Sequence, residues 1–249
     1  MDHGLRDPNI PGQQPDTAPL GRTDVLVVGA GPVGVLTAAI LAQHGVDVRI
    51  IQAYRPDVVH SRATVLWPRV LELLHQVGAT EPLVAAGHRL FGVDYLSGRR
   101  LAGLRIDALT DTPFPFALAM RQTDTEKILC SVLRTQGVEV QEDTTLIALE
   151  NHPDHRIARL RTADGRAESV RASWVVGADG AHSTVRKLAG ASFRGQQLRV
   201  AFAITDAVLE GNVSRDVMSY YYSPRGSLAL APLDRRVSRI AVSVPFDTD

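Results

Sequence analysis

One stretch, Asp24 to Gln52, constrains what this chain can fold into more than any other. Asp24-Val25-Leu26-Val27-Val28 is a short, unbroken β-branched run, the pattern of a strand buried on both faces in a parallel sheet. Gly29-Ala30-Gly31-Pro32-Val33-Gly34 follows at once, and Val35 to His44 reads as a helix stopped by Gly45. Val46 to Ile51 then predicts a second apolar strand. A G-x-G-x-x-G motif inside a complete strand, turn, helix and strand unit points to a dinucleotide site. Gly29 makes the tight turn, Gly31 lets backbone approach a pyrophosphate, and Gly34 lets helix and strand pack closely. The helix N-terminus faces the phosphates. Where such units carry an Asp or Glu for the ribose hydroxyls, this chain has Gln52. A neutral amide accepts that hydrogen bond without charge assistance, so weaker binding at the adenosine end is expected.

The remainder of the composition mainly excludes. With 249 residues the chain has room for one large or two ordinary domains. Its 27 basic and 27 acidic residues cancel, leaving no electrostatic footprint for nucleic acid or an anionic membrane. Lys127 and Lys187 are the only lysines, and the arginine excess reads as a compositional habit, not as a phosphate-binding surface. The single cysteine, Cys130, excludes an intramolecular disulfide and fits a reducing cytoplasm. Ile128, Leu129, Val132 and Leu133 around it predict a small buried hydrophobe on a helix. Met1 to Leu20 is rich in Pro, Gly and Asp without an apolar signal region, which predicts a disordered tail. The longest apolar run, Val33 to Ala42, is too short to span a membrane. His152 and His155, in a Pro-Asp loop with no cysteine cluster, read as solvated turn residues, so no metal site is expected.

Further along, Ser61-Arg62-Ala63 precedes Trp67-Pro68-Arg69, and Pro68 suits the first turn of a helix whose apolar stripe is Val70, Leu73, Leu74 and Val77. Arg62 is either an ordinary solvated arginine or a fork onto a pyrophosphate. From Glu81 to Phe116 the pattern loosens into short strands and turns, with a hairpin turn at Ser97-Gly98, and reads as an insertion leaving the nucleotide unit. The chain returns at Met120-Arg121-Gln122. Thr123-Asp124-Thr125-Glu126 has the form of a capping box opening a helix to about Gln136, followed by a short strand, Val138 to Val140. Leu146 to Glu150, Arg156 to Thr162 and Glu168 to Ala172 read as three strands, the last two joined at Asp164-Gly165. Trp174 to Ala178 predicts another buried strand, ending in Asp179-Gly180 before a short helix, Ser183 to Ala189, that carries Arg186. This second strand-turn-helix edge is expected to meet the glycine turn at the carboxyl ends of one parallel sheet. Past Phe193 the chain reads as β: Val200 to Val208, Val217 to Tyr222, Ser227 to Leu233 and Val237 to Val244. Met218, Tyr220 and Tyr222 alternate onto one face of a sheet expected to be covered on both sides. Its tyrosines are either cross-strand packing or, for Tyr220 and Tyr222, an apolar wall with a polar handle for a substrate.

These motifs together resemble the flavoprotein aromatic hydroxylases, the single-component FAD monooxygenases of the para-hydroxybenzoate hydroxylase type, with the best likeness to the phenol and polyketide hydroxylase branch. Four stretches match in order: Gly29 to Gly34, Ser61-Arg62-Ala63 with Pro68-Arg69, Gln122 to Glu126, and Gly177 to Ser183 through Arg186. The resemblance implies an α/β fold with a Rossmann-like FAD-binding domain over 21–80 and 118–192. A β-sheet substrate domain over 81–117 and 193–249 would be inserted in it, after a disordered tail over 1–20. It implies that Gly29, Gly31 and Gly34 cradle the FAD pyrophosphate, that Gln52 stands at the adenosine ribose, and that Arg62 and Gln122 hold the flavin's phosphate and ribityl region. Asp179 and Gly180 would contact FAD and serve transient NAD(P)H binding. The implied reaction is reduction of FAD by NAD(P)H, formation of a C4a-hydroperoxyflavin with O2, and transfer of one oxygen to an electron-rich aromatic ring. The cofactor carries that chemistry, so no catalytic side chain is assigned.

The resemblance also implies that the sequence stops at Asp249, before the family's Gly-Asp segment, so that apolar surface is left for self-association or a second chain. Two other readings of the residues are a natural short chain serving as a binding or assembly module, and an NAD-dependent dehydrogenase. The second leaves the Asp179-Gly180 edge and the late sheet without a task.

Overall fold

The computed structural model describes residues 20–53, 64–196 and 198–245. Strand β1 (Leu20–Val28) runs into the glycine turn and helix α1 (Pro32–Gln43), with Gly31 in an extended N-cap conformation and Pro32 in the first turn, where a missing N–H costs nothing. Gly45, at φ +75°, takes the left-handed position that ends the helix, and β2 (Val48–Ile51) follows. Next come β3 (Val65–Leu66), α2 (Pro68–Gln76), α3 (Thr80–Ala86), β4 (His88–Leu90), β5 (Gly92–Ser97), β6 (Arg99–Arg105) and β7 (Ala117–Ala119). Helix α4 (Gln122–Thr135) leads to β8 (Val140–Gln141), β9 (Thr145–Asn151), β10 (Arg156–Arg161), β11 (Ala167–Gly177) and α5 (Thr184–Leu188). Four strands complete the described chain: β12 (Ala201–Val208), β13 (Val217–Ser223), β14 (Gly226–Pro232) and β15 (Val237–Val244).

The first six-stranded sheet has the order β8-β2-β1-β11-β10-β9, parallel from β8 to β11 and antiparallel beyond. The unbroken apolar run of β1 is explained by what covers it. Val25 and Val27 enter a core with Val35 and Ala38 of α1, Leu129 and Leu133 of α4, and Leu71 and Leu83 of α2 and α3. Leu26 and Val28 enter the opposite core with Ile51, Leu146 and Leu160, against which Val185 and Leu188 of α5 pack. Each such fully buried side chain contributes roughly 1.5–3 kcal/mol, which makes β1 the hardest strand to lose. Cys130 is buried in the first of these cores.

A second six-stranded sheet has the order β12-β15-β14-β13-β5-β6, and a small sheet, β3-β7-β4, lies between the two in the chain's path. Leu90, Ala117 and Ala119 of the small sheet pack with Val93 and Met218 of the second. The junction is also polar. Arg239 on β15 donates to both carboxylate oxygens of Asp206 on β12, at 2.8 and 3.1 Å, and to Thr64 Oγ1 at 2.9 Å. Arg121, just before α4, lies 3.6 Å from Asp206. The face of the second sheet that carries Asp206 and Arg239 therefore looks toward the start of α4.

Several expectations are corrected. Residues 80–86 are helical, not strand or turn, because Pro82 sits in the first turn of α3 and breaks nothing there. The Thr123-to-Glu126 capping box does not form. The helix N-cap is Arg121, two residues before Thr123, with no side-chain cap, and Gln122 Nε2 donates to the Glu126 carboxylate one turn on, at 2.8 Å. Glu168 to Ala172 and Trp174 to Ala178 are one continuous strand, β11, since β1 runs beside it in unbroken parallel register from Leu20↔Ser169 to Val28↔Gly177. Trp174 is 71% exposed, not buried. His152 and His155 are half-buried rings stacked 4.5 Å apart, not free turn residues, with His155 Nδ1 2.7 Å from Asp154. Near its β13–β14 hairpin the second sheet is open on both sides, not covered on both, since Tyr221 and Tyr222 alternate onto opposite faces and are both exposed. Leu20 belongs to β1, and the rest of the expected tail lies outside the described residues.

Candidate functional site

The glycine turn is closed on one side and open on the other. Gly29 has φ +102°, and a Cβ there would lie 2.4 Å from the Ala178 carbonyl oxygen. A Cβ on Gly34 would lie 1.8 Å from the Gly29 carbonyl oxygen and 3.2 Å from Ala178 Cβ. At Gly31 a Cβ would meet nothing within 4 Å. Turn, α1 and the end of β11 are thus pressed together through two glycines, while the third presents bare backbone to open space. Helix α1 has neither a side-chain cap nor an acidic residue in its first turn, so its positive end faces the same opening. These residues fit a dinucleotide pyrophosphate: anion-seeking amides beside a surface with no side chain in the way.

Gln52 sits at the end of β2 and turns inward. Its Oε1 accepts from the Ala30 N–H at 2.6 Å, tying β2 to the glycine turn. The residue expected at the ribose is therefore also a brace for the turn that would hold the phosphates. Its backbone is fixed as well, since Gln52 N donates to Gln141 O at 2.9 Å and Thr144 N to Gln52 O at 2.9 Å.

The expected second edge lies where it was anticipated. Ala178 N donates to Val28 O at 2.7 Å, and a Cβ on Gly29 would lie 2.8 Å from Asp179 Cα, so Asp179-Gly180 abuts the glycine turn. Asp179 points away from that turn and into α5. Its Oδ1 accepts from Ser183 Oγ at 2.5 Å, and its Oδ2 accepts from Thr184 N at 2.5 Å and Val185 N at 3.1 Å. Asp179 thus holds the loop in shape, and Gly180, at φ +78° with open space around its Cα, offers the loop's backbone. Arg186 donates to Ala181 O at 2.8 Å and lies over the Phe193 ring at 4.9 Å from its centre. The structure therefore brings together Gly29, Gly31, Gly34, Gln52, Asp179 and Gly180. Gln122 stands at the start of α4, next to the Arg121–Asp206 junction, and Arg62 lies outside the described residues.

On the second sheet, Tyr220 and Tyr222 do share a face, and the structure adds a third ring. Tyr95 on β5 pairs in register with Tyr220 and stacks on it, centroids 5.6 Å apart and planes 15° apart. Tyr222 stacks on Tyr95 at 6.5 Å and 12°. Burial, and then the neighbouring Tyr95 and Tyr222, push the Tyr220 hydroxyl above the ordinary phenol range, so it stays protonated. Tyr95 and the Asp206–Arg239 pair are functional candidates that the sequence reading missed. Both depend on parallel or long-range pairings, β5 with β13 and β12 with β15, for which no local motif exists.

Comparison with known proteins gives a consistent picture. The sequence profile of a family described as a FAD binding domain matches residues 22–249. The 6-methylpretetramide 4-monooxygenase of Streptomyces rimosus is 37% identical over 213 residues, which are 84% of this chain and 37% of that protein. The solved p-nitrophenol 4-monooxygenase PnpA of Pseudomonas putida DLL-E4 superposes with a TM-score of 0.84 at 24% identity, covering 92% of this chain and 60% of that one, and shows the shared fold. A ternary complex of aklavinone-11 hydroxylase with FAD and aklavinone superposes with a TM-score of 0.75 at 28% identity, covering 90% of this chain and 46% of that one. The chain spans less than half the length of the first curated relatives it matches.

Proposed function

This chain belongs to the FAD binding domain family, and from that membership we propose that it works as an FAD-dependent monooxygenase on an aromatic small molecule of phenolic or polyketide type. The observation that carries the reading is the glycine turn, open at Gly31 and backed by the Asp179-Gly180 edge. When bound, FAD supplies the redox chemistry, taking electrons from NAD(P)H and allowing one atom of O2 to pass to the ring.

The chain's own residues bind, orient and shield. The Gly31 backbone and the first turn of α1 receive the pyrophosphate, with Gly29 and Gly34 permitting the close packing behind it. Gln52 steadies the turn and borders the adenosine ribose. Arg62 and Gln122 serve the flavin's phosphate and ribityl side, and the Gly180 loop, shaped by Asp179, lines the FAD and receives NAD(P)H transiently. Tyr220 and Tyr222 contact the substrate from the second sheet. No side chain is given an acid or base role. On this reading 21–80 and 118–192 form the FAD-binding domain and 81–117 with 193–249 the substrate domain, and the protein works in the cytoplasm. Among the described residues no helix is long and apolar enough to cross a membrane. Exposed Leu101 and Leu104 on β6 suit self-association or a second chain.

The test is turnover by the FAD-loaded chain with NADH or NADPH and a phenolic substrate under isotope-labelled dioxygen. A product carrying one labelled oxygen is expected, and its yield at limiting FAD should fall sharply with Gly31→Ala. If NADH and NADPH both fail to bleach the flavin anaerobically, the monooxygenase reading is wrong.

A further inference from the structure

The face of the second sheet that looks toward α4 has an unequal relief. Register places Ile204 of β12, Ala241 of β15, Ala229 of β14, and Tyr220 of β13 in one row across the strands. The next row toward the β13–β14 hairpin pairs Phe202 with Ser243 and Tyr222 with Ser227, and Ser227 N donates to Ser243 Oγ at 2.7 Å. Two central strands thus carry only Ala and Ser, between a wall of Ile204 and Phe202 and a wall of stacked tyrosines. Ile204 and Phe202 are 49% and 51% exposed and Tyr222 is 46% exposed, so one wall and the hairpin end of the other are open, while Tyr220 is half-buried against the core around Leu90 and Met218.

The floor is two strands wide, and the walls stand on strands three spacings apart, roughly 14 Å. Side chains rise nearly perpendicular to a sheet, so that spacing is the width of a trough. A single phenol ring would touch one wall and leave the other bare. A flat fused-ring system reaches both, lies on the Ala and Ser floor without meeting a branched side chain, and sets its edge beside the tyrosines. None of the Tyr95, Tyr220 and Tyr222 hydroxyls hydrogen-bonds to another described residue. They are therefore available to the hydroxyl or quinone oxygens of a ligand. The trough also adjoins Arg239 and Asp206, one row further along the same strands, and hence the start of α4.

We propose that Ala229 and Ala241 are specificity-determining residues that admit a planar fused-ring aromatic, hydroxylated or quinonoid, in preference to a single-ring phenol. This rests on the proposed function, because it names the substrate class of that same site. It makes the trough's width, and not the flavin, the selector of ring number.

Binding of alizarin and of phenol to the full chain, measured by calorimetry with and without FAD, tests this. Alizarin should bind at least about tenfold more tightly than phenol, the worth of one well-made aromatic contact. Ala229→Leu should weaken alizarin by about tenfold or more and leave phenol within about twofold. Tyr222→Ala should weaken alizarin, whereas Tyr221→Ala, on the opposite face, should not. Should Ala229→Leu fail to fold, Ala241→Leu on the neighbouring strand raises the same floor. Equal affinities for the two ligands, indifference to both floor variants, or equal damage from Tyr221→Ala and Tyr222→Ala would overturn the inference. FAD titration of the same samples keeps the two readings apart: loss of FAD binding with alizarin selectivity intact refutes the flavin reading alone.

Discussion

Replacing Gly31 and Gly34 by alanine, one at a time, should separate cofactor binding from folding. The two glycines are three residues apart, yet an added Cβ meets nothing within 4 Å at Gly31 and meets the Gly29 carbonyl oxygen at 1.8 Å at Gly34. At Gly34 the obstacle is backbone, and Ala178 at 3.2 Å blocks the retreat, so the turn must move away from β11. Overpacking of this kind costs about 1–3 kcal/mol, and the upper part of that range applies where backbone must shift. At roughly 2–4 °C per kcal/mol for a chain of this size, Gly34→Ala should lower Tm by about 6–12 °C. Gly31 has φ −69° and ψ 177°, which alanine adopts freely. Its replacement changes only the N-cap preference, by about 1 kcal/mol or less. The new methyl does, however, stand where a pyrophosphate oxygen must approach the backbone, and FAD affinity should fall by at least about tenfold. Differential scanning calorimetry and FAD titration on both variants read the two effects. A Gly31→Ala chain that binds FAD as tightly as the parent, or a Gly34→Ala chain that melts with the parent, would refute the reasoning.

Gln52→Glu replaces a neutral acceptor of the Ala30 N–H by a charged one, and should tighten FAD by about 3–10-fold in the same titration. Asp206 is held below the usual carboxylate range, first by its hydrogen bonds to Arg239. A carboxyl depressed in the folded state contributes stability above its unfolded pKa, near 4, and loses it as pH falls through the lower folded value. Asp206→Asn should therefore cost about 1–3 kcal/mol at neutral pH, since the Arg239 side chain is only 11% exposed and loses its charged partner, and its urea stability should fall less steeply than the parent's below about pH 4. Trp174→Ser, at an exposed strand position, should change urea stability by less than about 0.5 kcal/mol. A larger loss would mean that the indole is covered in solution.

The nucleotide unit was legible because each of its parts is local. A β-branched run, three glycines and a helix stop lie within one short stretch, and the structure uses Gly29, Gly34 and Gly45 for the close packing and left-handed turns that such a unit requires. The meeting of Asp179-Gly180 with that turn was legible at one remove, since parallel strands put their turns at the same sheet edge. What failed were boundaries set by tertiary contact. The stretch from Glu81 looked like strands and turns although Pro82 fits the first turn of a helix, and Thr123 looked like a cap although Arg121 is the N-cap and Gln122 pairs with Glu126. Trp174 looked buried because its neighbours are apolar, although the strand turns that side chain to solvent. The Tyr95 stack and the Asp206–Arg239 clasp could not have been read locally, because each joins strands more than thirty residues apart in the chain.

The most direct measurement is the flavin content of the purified 249-residue chain after incubation with FAD and gel filtration, read from its visible absorbance. The account predicts stoichiometric FAD that co-elutes with folded protein and is lost from Gly31→Ala. A chain that melts cooperatively yet retains no flavin would contradict it.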